Sequence, residues 1–272
     1  MKRHFVILFF VFFFSLGICC QNTESNTLVS FKTNYGEIKI ELYPETVKHR
    51  SNFIKLVKSG YYDGVLFHRV IENFMIQAGD AESKKARPNQ LLGTGDVGYT
   101  VPAEIIYPNY YHKHGALAAA RQGDNVNPKK ASSGAQFYIV TGRIYSEGEL
   151  KAIENSFFRK EKTKLFNKMC LNKQKEFKKL QLAKNDEKLA ALRDSIYSEV
   201  DIEMAVNVKK FFSNQQYIDY STIGGAHHLD GEYTVFGEVI EGLEIVDKIS
   251  RAKTGVNDRP VNDIRILKAT VL

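Results

Sequence analysis

Cysteine is scarce in this chain of 272 residues: there are three, and only Cys170 lies beyond the first twenty positions. A disulfide framework needs an even set at regular spacing, so none is expected, and the fold must rest on its core. Cys170 reads as a small apolar residue on a helix face. Tryptophan is absent altogether. No apolar run reaches the roughly 20 residues that span a bilayer; Phe5 to Ile18 is too short and is broken by Ser15 and Gly17. Within 67–80, 115–140 and 228–249 nothing resembles a nucleophile with an adjacent base. The pairs His112-x-His114 and His227-His228 have no further ligand at a metal-binding spacing apart from Asp230. Neither a metal nor a cofactor is expected.

What the N-terminus does have is a basic start, Lys2 and Arg3, ahead of that apolar run, which over residues 1–20 is the pattern of a secretory signal peptide. Its end, Leu16-Gly17-Ile18-Cys19-Cys20, resembles a bacterial lipoprotein signal, with Cys19 and Cys20 as the lipidation candidates. The chain is therefore expected to be exported, either into a bacterial periplasm or anchored to a membrane through an N-terminal lipid. The formal charge of +7 falls to about +5 without Lys2 and Arg3.

Beyond a polar tether, Leu28 to Thr33 and Glu37 to Tyr43 alternate apolar and polar as half-buried strands do, and Asn34-Tyr35-Gly36 between them suits a hairpin turn. Glu45 to Ser59 places Val47, Phe53, Ile54 and Val57 on one helical face, with Gly60 to end it. Strand signals recur at 65–71, 74–77, 99–105, 116–121, 135–141, 234–239 and 264–271, and a second helix at 243–251. Many short strands with two helices imply a mainly β fold, a closed antiparallel barrel capped by the helices, which removes exposed edges. Between Arg143 and Tyr220 the composition changes: glycine is absent from 149 to 223, and Lys, Glu, Leu and Ala dominate. Leu150, Ile153, Phe157, Leu165, Met169, Phe177 and Leu180 keep helical spacing, with a break at Asn185-Asp186. An α-helical hairpin inserted over 144–220 is expected, between barrel segments 27–143 and 221–272.

Three separated segments carry the chemistry: FHRVIENFMIQAGD (67–80), GALAAARQGDNVNPKKASSGAQFYIV (115–140) and HLDGEYTVFGEVIEGLEIVDKI (228–249). Each mixes apolar or aromatic residues with uncharged hydrogen-bonding groups, and Arg69 is the strongest donor among them. An arginine costs several kcal/mol to desolvate unless paired, so one placed between Phe67 and Met75 marks a binding site or a salt bridge.

The motifs FHRV-x-x-x-FM-x-Q-x-GD, GAQFYI and LDG-x-x-x-VFG, in that order, resemble the signature regions of the cyclophilin family of peptidyl-prolyl cis-trans isomerases. The resemblance covers 27–143 and 221–272. It implies that Arg69 is catalytic, that Phe74, Met75, Tyr138 and Leu229 form an apolar proline pocket, and that Gln77 binds a substrate carbonyl. Ala120 and Gln136 would line the groove, and the backbone at Arg121 would pair with an extended peptide. Tyr233 stands where many members have histidine, and His228 replaces a tryptophan of the best-known members. Proline-containing polypeptides are the implied partners and no cofactor is required. A non-catalytic peptide-binding or chaperone module on the same barrel is the competing reading.

The chemistry fits without any nucleophile. Twisting an X-Pro bond breaks amide resonance, a barrier of about 18–20 kcal/mol, and no covalent bond is made or lost. His68 reads as structural, because no proton transfer is needed and strand alternation turns it away from Arg69. GTGD (93–96) reads as a turn rather than a phosphate cradle. The nine basic residues from Arg159 to Lys179 read as a solvated helix face. No nucleic acid is expected, since stacking aromatics do not interleave with them.

Overall fold

The structure, a computed structural model, describes residues 27–88, 90–207 and 211–272. The signal-like segment, with Cys19 and Cys20, lies outside them. Strands β1 (Thr27–Thr33) and β2 (Gly36–Leu42) pair antiparallel across the expected turn. Their alternation drives Val29, Phe31, Ile38, Ile40 and Leu42 completely out of water. The remaining strands are β3 (Arg69–Ile71), β4 (Met75–Ala78), β5 (Thr100–Val101), β6 (Ala116–Ala119), β7 (Ser132–Ser133), β8 (Phe137–Val140), β9 (Val235–Glu241) and β10 (Ile266–Val271).

Eight of these form one antiparallel sheet in the order β10-β1-β2-β9-β6-β8-β4-β3. The sheet curls until its ends meet, but the seam is short. Leu66 bridges Arg265, Phe67 donates to the Ile264 carbonyl at 2.9 Å, and Ile266 donates to the Val65 carbonyl at 2.9 Å. Closure of the expected barrel is limited to this short contact just ahead of the edge strands, with no ladder between β3 and β10 among the described residues, and β3 is only three residues long. Phe31, Phe53, Tyr62 and Phe137 pack edge to face and tilted at the centre. Helix α1 (Val47–Lys58) adds Phe53, Leu56 and Val57 to that core, and the 243–250 helix adds Val246 and Ile249.

The strand expected at 99–105 shrinks to Thr100–Val101, paired with Ser132–Ser133. The rest of that segment serves α1 instead. Thr46 makes no side-chain cap, and the Glu104 carboxylate accepts from the backbone N–H groups of Lys48 (3.0 Å) and His49 (2.9 Å). A negative group is favourable at that end of a helix, where the amides lack internal partners.

The region between the barrel segments is helical, as expected, but more elaborate than a hairpin. α2 (Glu147–Asn172) and α3 (Gln174–Leu182) form a broken outward arm, α4 (Asp186–Asn207) returns, and α5 (Asn214–Thr222) lies against the barrel, ahead of α6 (Leu243–Ser250). α5 runs through the boundary expected at 220, since Tyr220 is one of its fully buried anchors. Ser146 starts α2 and Ser213 starts α5, each with a reciprocal capping box that satisfies the first free amides. Cys170 sits half-buried on α2.

Candidate active site

Strand register builds the site. Arg69 pairs with Gln77, Gln77 with Tyr138, and Tyr138 with Ala118, which makes one row across β3, β4, β8 and β6. Two residues on, Ile71 pairs with Met75 and Met75 with Val140. Alternation sends Phe137 and Ile139 into the barrel core and Tyr138 and Val140 to the other face, where they cluster with Met75, Ala116, Ala118, Ala226 and Val235. A cavity of about 160 Å³ opens on that outer face, lined by Arg69, Phe74, Met75, Gln77, Ala120, Arg121, Tyr138, Leu229 and Tyr233.

Gln136 does not line this cavity. Its Nε2 donates to the carbonyls of Gly93 and Gly95, both at 2.9 Å, and its Oε1 accepts from Gln77 Nε2 at 3.0 Å. It braces Gln77 from behind. The GTGD turn supplies those carbonyls and is itself held by Asp80, which accepts from the amides of Gly93 and Gly95. Arg121 turns its side chain inward to donate to the Glu232 carbonyl at 2.9 Å, and its guanidinium lies 4.4 Å from the centre of the Tyr233 ring. That stacking fixes the ring at the cavity edge.

Arg69 is about 43 % exposed, and its Nε donates to Asp258 Oδ2 at 3.3 Å. Arg69 also lines the cavity, and its guanidinium carries further N–H donors besides the one at Nε. Asp258 and its neighbour Asn257 both adopt left-handed backbone, at φ 59° and 57°. Two consecutive non-glycine residues in that region are costly, and such strain clusters at functional sites. Nothing in sequence spacing points to Asp258, which lies 189 residues from Arg69.

His68 is buried at 4 % exposure beside Gly93, and neither ring nitrogen has a hydrogen-bond partner. Burial, more than the neighbouring charges, pulls its pKa down to about 4, so it is neutral at ordinary pH. It shares a second, larger cavity of about 790 Å³ with Arg69, Gln77 and the 255–263 loop. The other histidines are scattered among separate tasks: His114 Nε2 meets Asp247 at 2.8 Å, His228 packs on Phe74 at 5.3 Å, and His112 lies directly behind Tyr138.

Comparison with known proteins places this geometry. The family profile described as cyclophilin type peptidyl-prolyl cis-trans isomerase/CLD matches residues 28–149 and 170–271. A Staphylococcus epidermidis protein named "Putative peptidyl-prolyl cis-trans isomerase" is 27 % identical over 245 residues, covering 89 % of this chain and 90 % of its own length. A Staphylococcus saprophyticus protein of the same name is 28 % identical, covering 90 % of this chain and 93 % of its own. A Streptococcus pyogenes protein named "Putative bifunctional phosphatase/peptidyl-prolyl cis-trans isomerase" is 28 % identical over 88 % of this chain, which spans only 37 % of that longer protein. Among solved structures, a Cryptosporidium parvum cyclophilin type peptidyl-prolyl cis-trans isomerase superposes with a TM-score of 0.53 at 21 % identity, covering 91 % of this chain and 98 % of that one. That structural likeness speaks for the fold, and the family profile speaks for more: the chain belongs to the cyclophilin-type peptidyl-prolyl cis-trans isomerases.

Proposed function

We propose that this protein is an exported prolyl isomerase that assists the folding of other exported polypeptides, with Arg69 as its catalytic residue. The observation that carries the reading is the cavity of about 160 Å³, whose lining combines the apolar surfaces of Phe74, Met75, Tyr138 and Leu229 with the polar groups of Arg69 and Gln77. A proline ring fits against the apolar surfaces, where water that would compete for hydrogen bonds is excluded. As the amide twists, the proline nitrogen loses conjugation and becomes a hydrogen-bond acceptor. Arg69 donates to it more strongly in the twisted state than in the planar one, and only such differential binding raises the rate. Gln77, braced by Gln136, is placed to donate to a substrate carbonyl, and the backbone at Arg121 to align the extended chain. Ala120 contributes a small wall and Tyr233 a ring with a polar tip. No proton is transferred and no covalent intermediate forms.

Wild-type protein should accelerate cis-trans exchange of a short X-Pro peptide, and Arg69→Ala should abolish most of that acceleration. Equal rates for the two would instead favour a peptide-binding module without catalysis.

The export part of the reading rests on the basic and apolar N-terminus, with Cys19 or Cys20 as the lipidated residue and the helical region over about 144–220 as an addition to the barrel. Metabolic labelling with a fatty acid, in wild type and in Cys19→Ala and Cys20→Ala variants, tests it. Label lost with one cysteine identifies the modified residue, and no label in wild type removes the lipid anchor.

A further inference from the structure

The inserted helices return to the barrel through α5, and α5 ends at the back of the proline-side cavity. We propose that Tyr220 of α5, acting through Asp230 and His112, fixes the hydroxyl of Tyr138 and so sets the position of the pocket wall, which makes the base of the insert a positioning element of the isomerase site. The proposal rests on reading that cavity as the proline pocket.

Four side chains form one continuous chain of hydrogen bonds. Tyr220 donates its hydroxyl to Asp230 Oδ2 at 2.5 Å. Asp230 Oδ1 accepts from the His112 backbone N–H at 2.9 Å and meets His112 Nδ1 at 3.0 Å. His112 Nε2 meets the Tyr138 hydroxyl at 2.9 Å. The proton positions follow from the acceptors. A carboxylate can only accept, so in the neutral tautomer of His112 that fits this chain Nδ1 carries the hydrogen, Nε2 presents its lone pair and Tyr138 donates. Tyr138 and Tyr220 both have pKa values raised by burial, so both keep the hydroxyl hydrogens the chain requires.

Burial gives the chain its leverage. Tyr220 and His112 are fully buried, and Tyr138 is 5 % exposed. A pocket wall needs only apolar surface, for which a phenyl ring suffices; a hydroxyl on that ring must be paired or it destabilises the fold. His112 meets this need and touches two walls at once. Its ring lies parallel to Tyr138, with centroids 6.0 Å apart, and edge-on to Tyr233 at 6.3 Å. A shift of His112 therefore moves both rings that flank a bound proline.

The local fold is built to let α5 reach this point. A Cβ at Gly225 would stand 2.4 Å from the His112 carbonyl oxygen and 2.5 Å from Tyr220 Cε1, so only glycine allows Tyr220 to lie so close to the His112 backbone. The Tyr145 amide donates to the Tyr220 carbonyl at 2.9 Å, and Phe212 and Tyr111 pack on the Tyr220 ring. Helix, glycine and rings together hold the Tyr220 hydroxyl in place.

The test is a double-mutant cycle. Tyr220→Phe keeps the ring and removes only the hydroxyl. For a short X-Pro peptide it should raise KM by about 3- to 10-fold, the range of one buried hydrogen bond, with kcat within about twofold, because the proline seat binds planar and twisted amides alike. In a Tyr138→Phe background there is no hydroxyl left to position, and the same substitution should change KM by less than about twofold. By NMR, the Tyr138 hydroxyl proton should exchange slowly in wild type and be lost from the spectrum in Tyr220→Phe. An unchanged KM in folded Tyr220→Phe, or the same fold-change in both backgrounds, overturns the proposal. If Tyr220→Phe does not fold, Asp230→Asn carries the same cycle, with the same coupling to Tyr138 expected and its absence decisive. Should wild type show no turnover, the isomerase reading fails by itself, and the dissociation constant of the same peptide in the four proteins still decides the positioning claim.

Discussion

The barrel and the outer arm of the insert hold themselves together in different ways. In the barrel, β6 and β8 bury every side chain, β1 buries four of seven and β2 three of seven, and a ring of aromatics around Phe137 fills the centre. In the arm, α2 buries only Leu150, α3 buries none of its residues, and α4 contributes Ile196 and Val200. Leu171, Leu182, Ile202 and Val206 face water. α2 and Lys173 just after it meet α4 through a stack of Phe166 on Tyr197 at 4.4 Å and the ion pairs Lys162–Asp201 (2.5 Å) and Lys173–Glu199 (2.7 Å). Exposed pairs of this kind contribute about 0–1 kcal/mol. The base of the insert resembles the barrel, with Tyr145, Leu150, Phe212 and Tyr220 in one buried cluster. The contrast separates a rigid base, wired to the site, from an arm that can open locally without unfolding the enzyme.

The largest effect that would sharpen this contrast is in the core. Phe137→Ala should cost about 3–5 kcal/mol, read as a drop in global melting temperature. Phe166→Ala on the arm should cost about 1 kcal/mol or less and leave the main transition in place, while arm amides exchange faster with solvent. Equal melting losses for the two would break the distinction.

Next in size is an acid effect centred on the barrel. Burial lowers the pKa of His68 to about 4, and burial is also the leading cause of lowered values at His49, His227 and His228. A histidine with a folded-state pKa below its unfolded value of about 6.5 binds its proton more readily when unfolded. Its contribution to stability is complete above about pH 6.5 and is lost as pH falls towards 4, at about 1.4 kcal/mol for each pH unit in that window. Melting temperature should therefore decline between pH 6.5 and 4.5, and His68→Gln should flatten the decline. A wild-type curve that is flat over this range would contradict the burial argument.

Smallest is the arm's ion pairing. Lys173→Ala should change stability by no more than about 1 kcal/mol and leave peptide turnover unaltered, and the change should shrink further in high salt.

Much of the barrel was legible because its strands alternate, whereas Phe74, Met75, Gln77 and Tyr138 were named by the motif resemblance; strand register sets Gln77 beside Tyr138, with Met75 two residues away. What stayed hidden depends on contacts between distant segments. Glu104 caps α1 from 55 residues away, and Asp258 meets Arg69 across 189. Gln136 carries a groove motif yet faces backwards, because two carbonyls of the GTGD turn claim its amide. α5 has only a short helical signature, and its real definition is the fit of Tyr220 against Gly225, which no periodicity encodes.

The measurement that tests the central claim most directly is the exchange rate of an X-Pro peptide with wild type, Arg69→Ala and Arg69→Lys at equal concentration, each checked for a native fold. In the proposed mechanism Arg69 acts as a fork, with Nε donating to Asp258 at 3.3 Å and the other N–H groups of its guanidinium donating to the substrate. A lysine keeps the charge but cannot make both contacts. The account predicts that both variants lose at least about 100-fold in kcat/KM, the scale of one preorganised donor, with lysine recovering little over alanine. Wild-type turnover in Arg69→Ala, or full rescue by lysine, would contradict it.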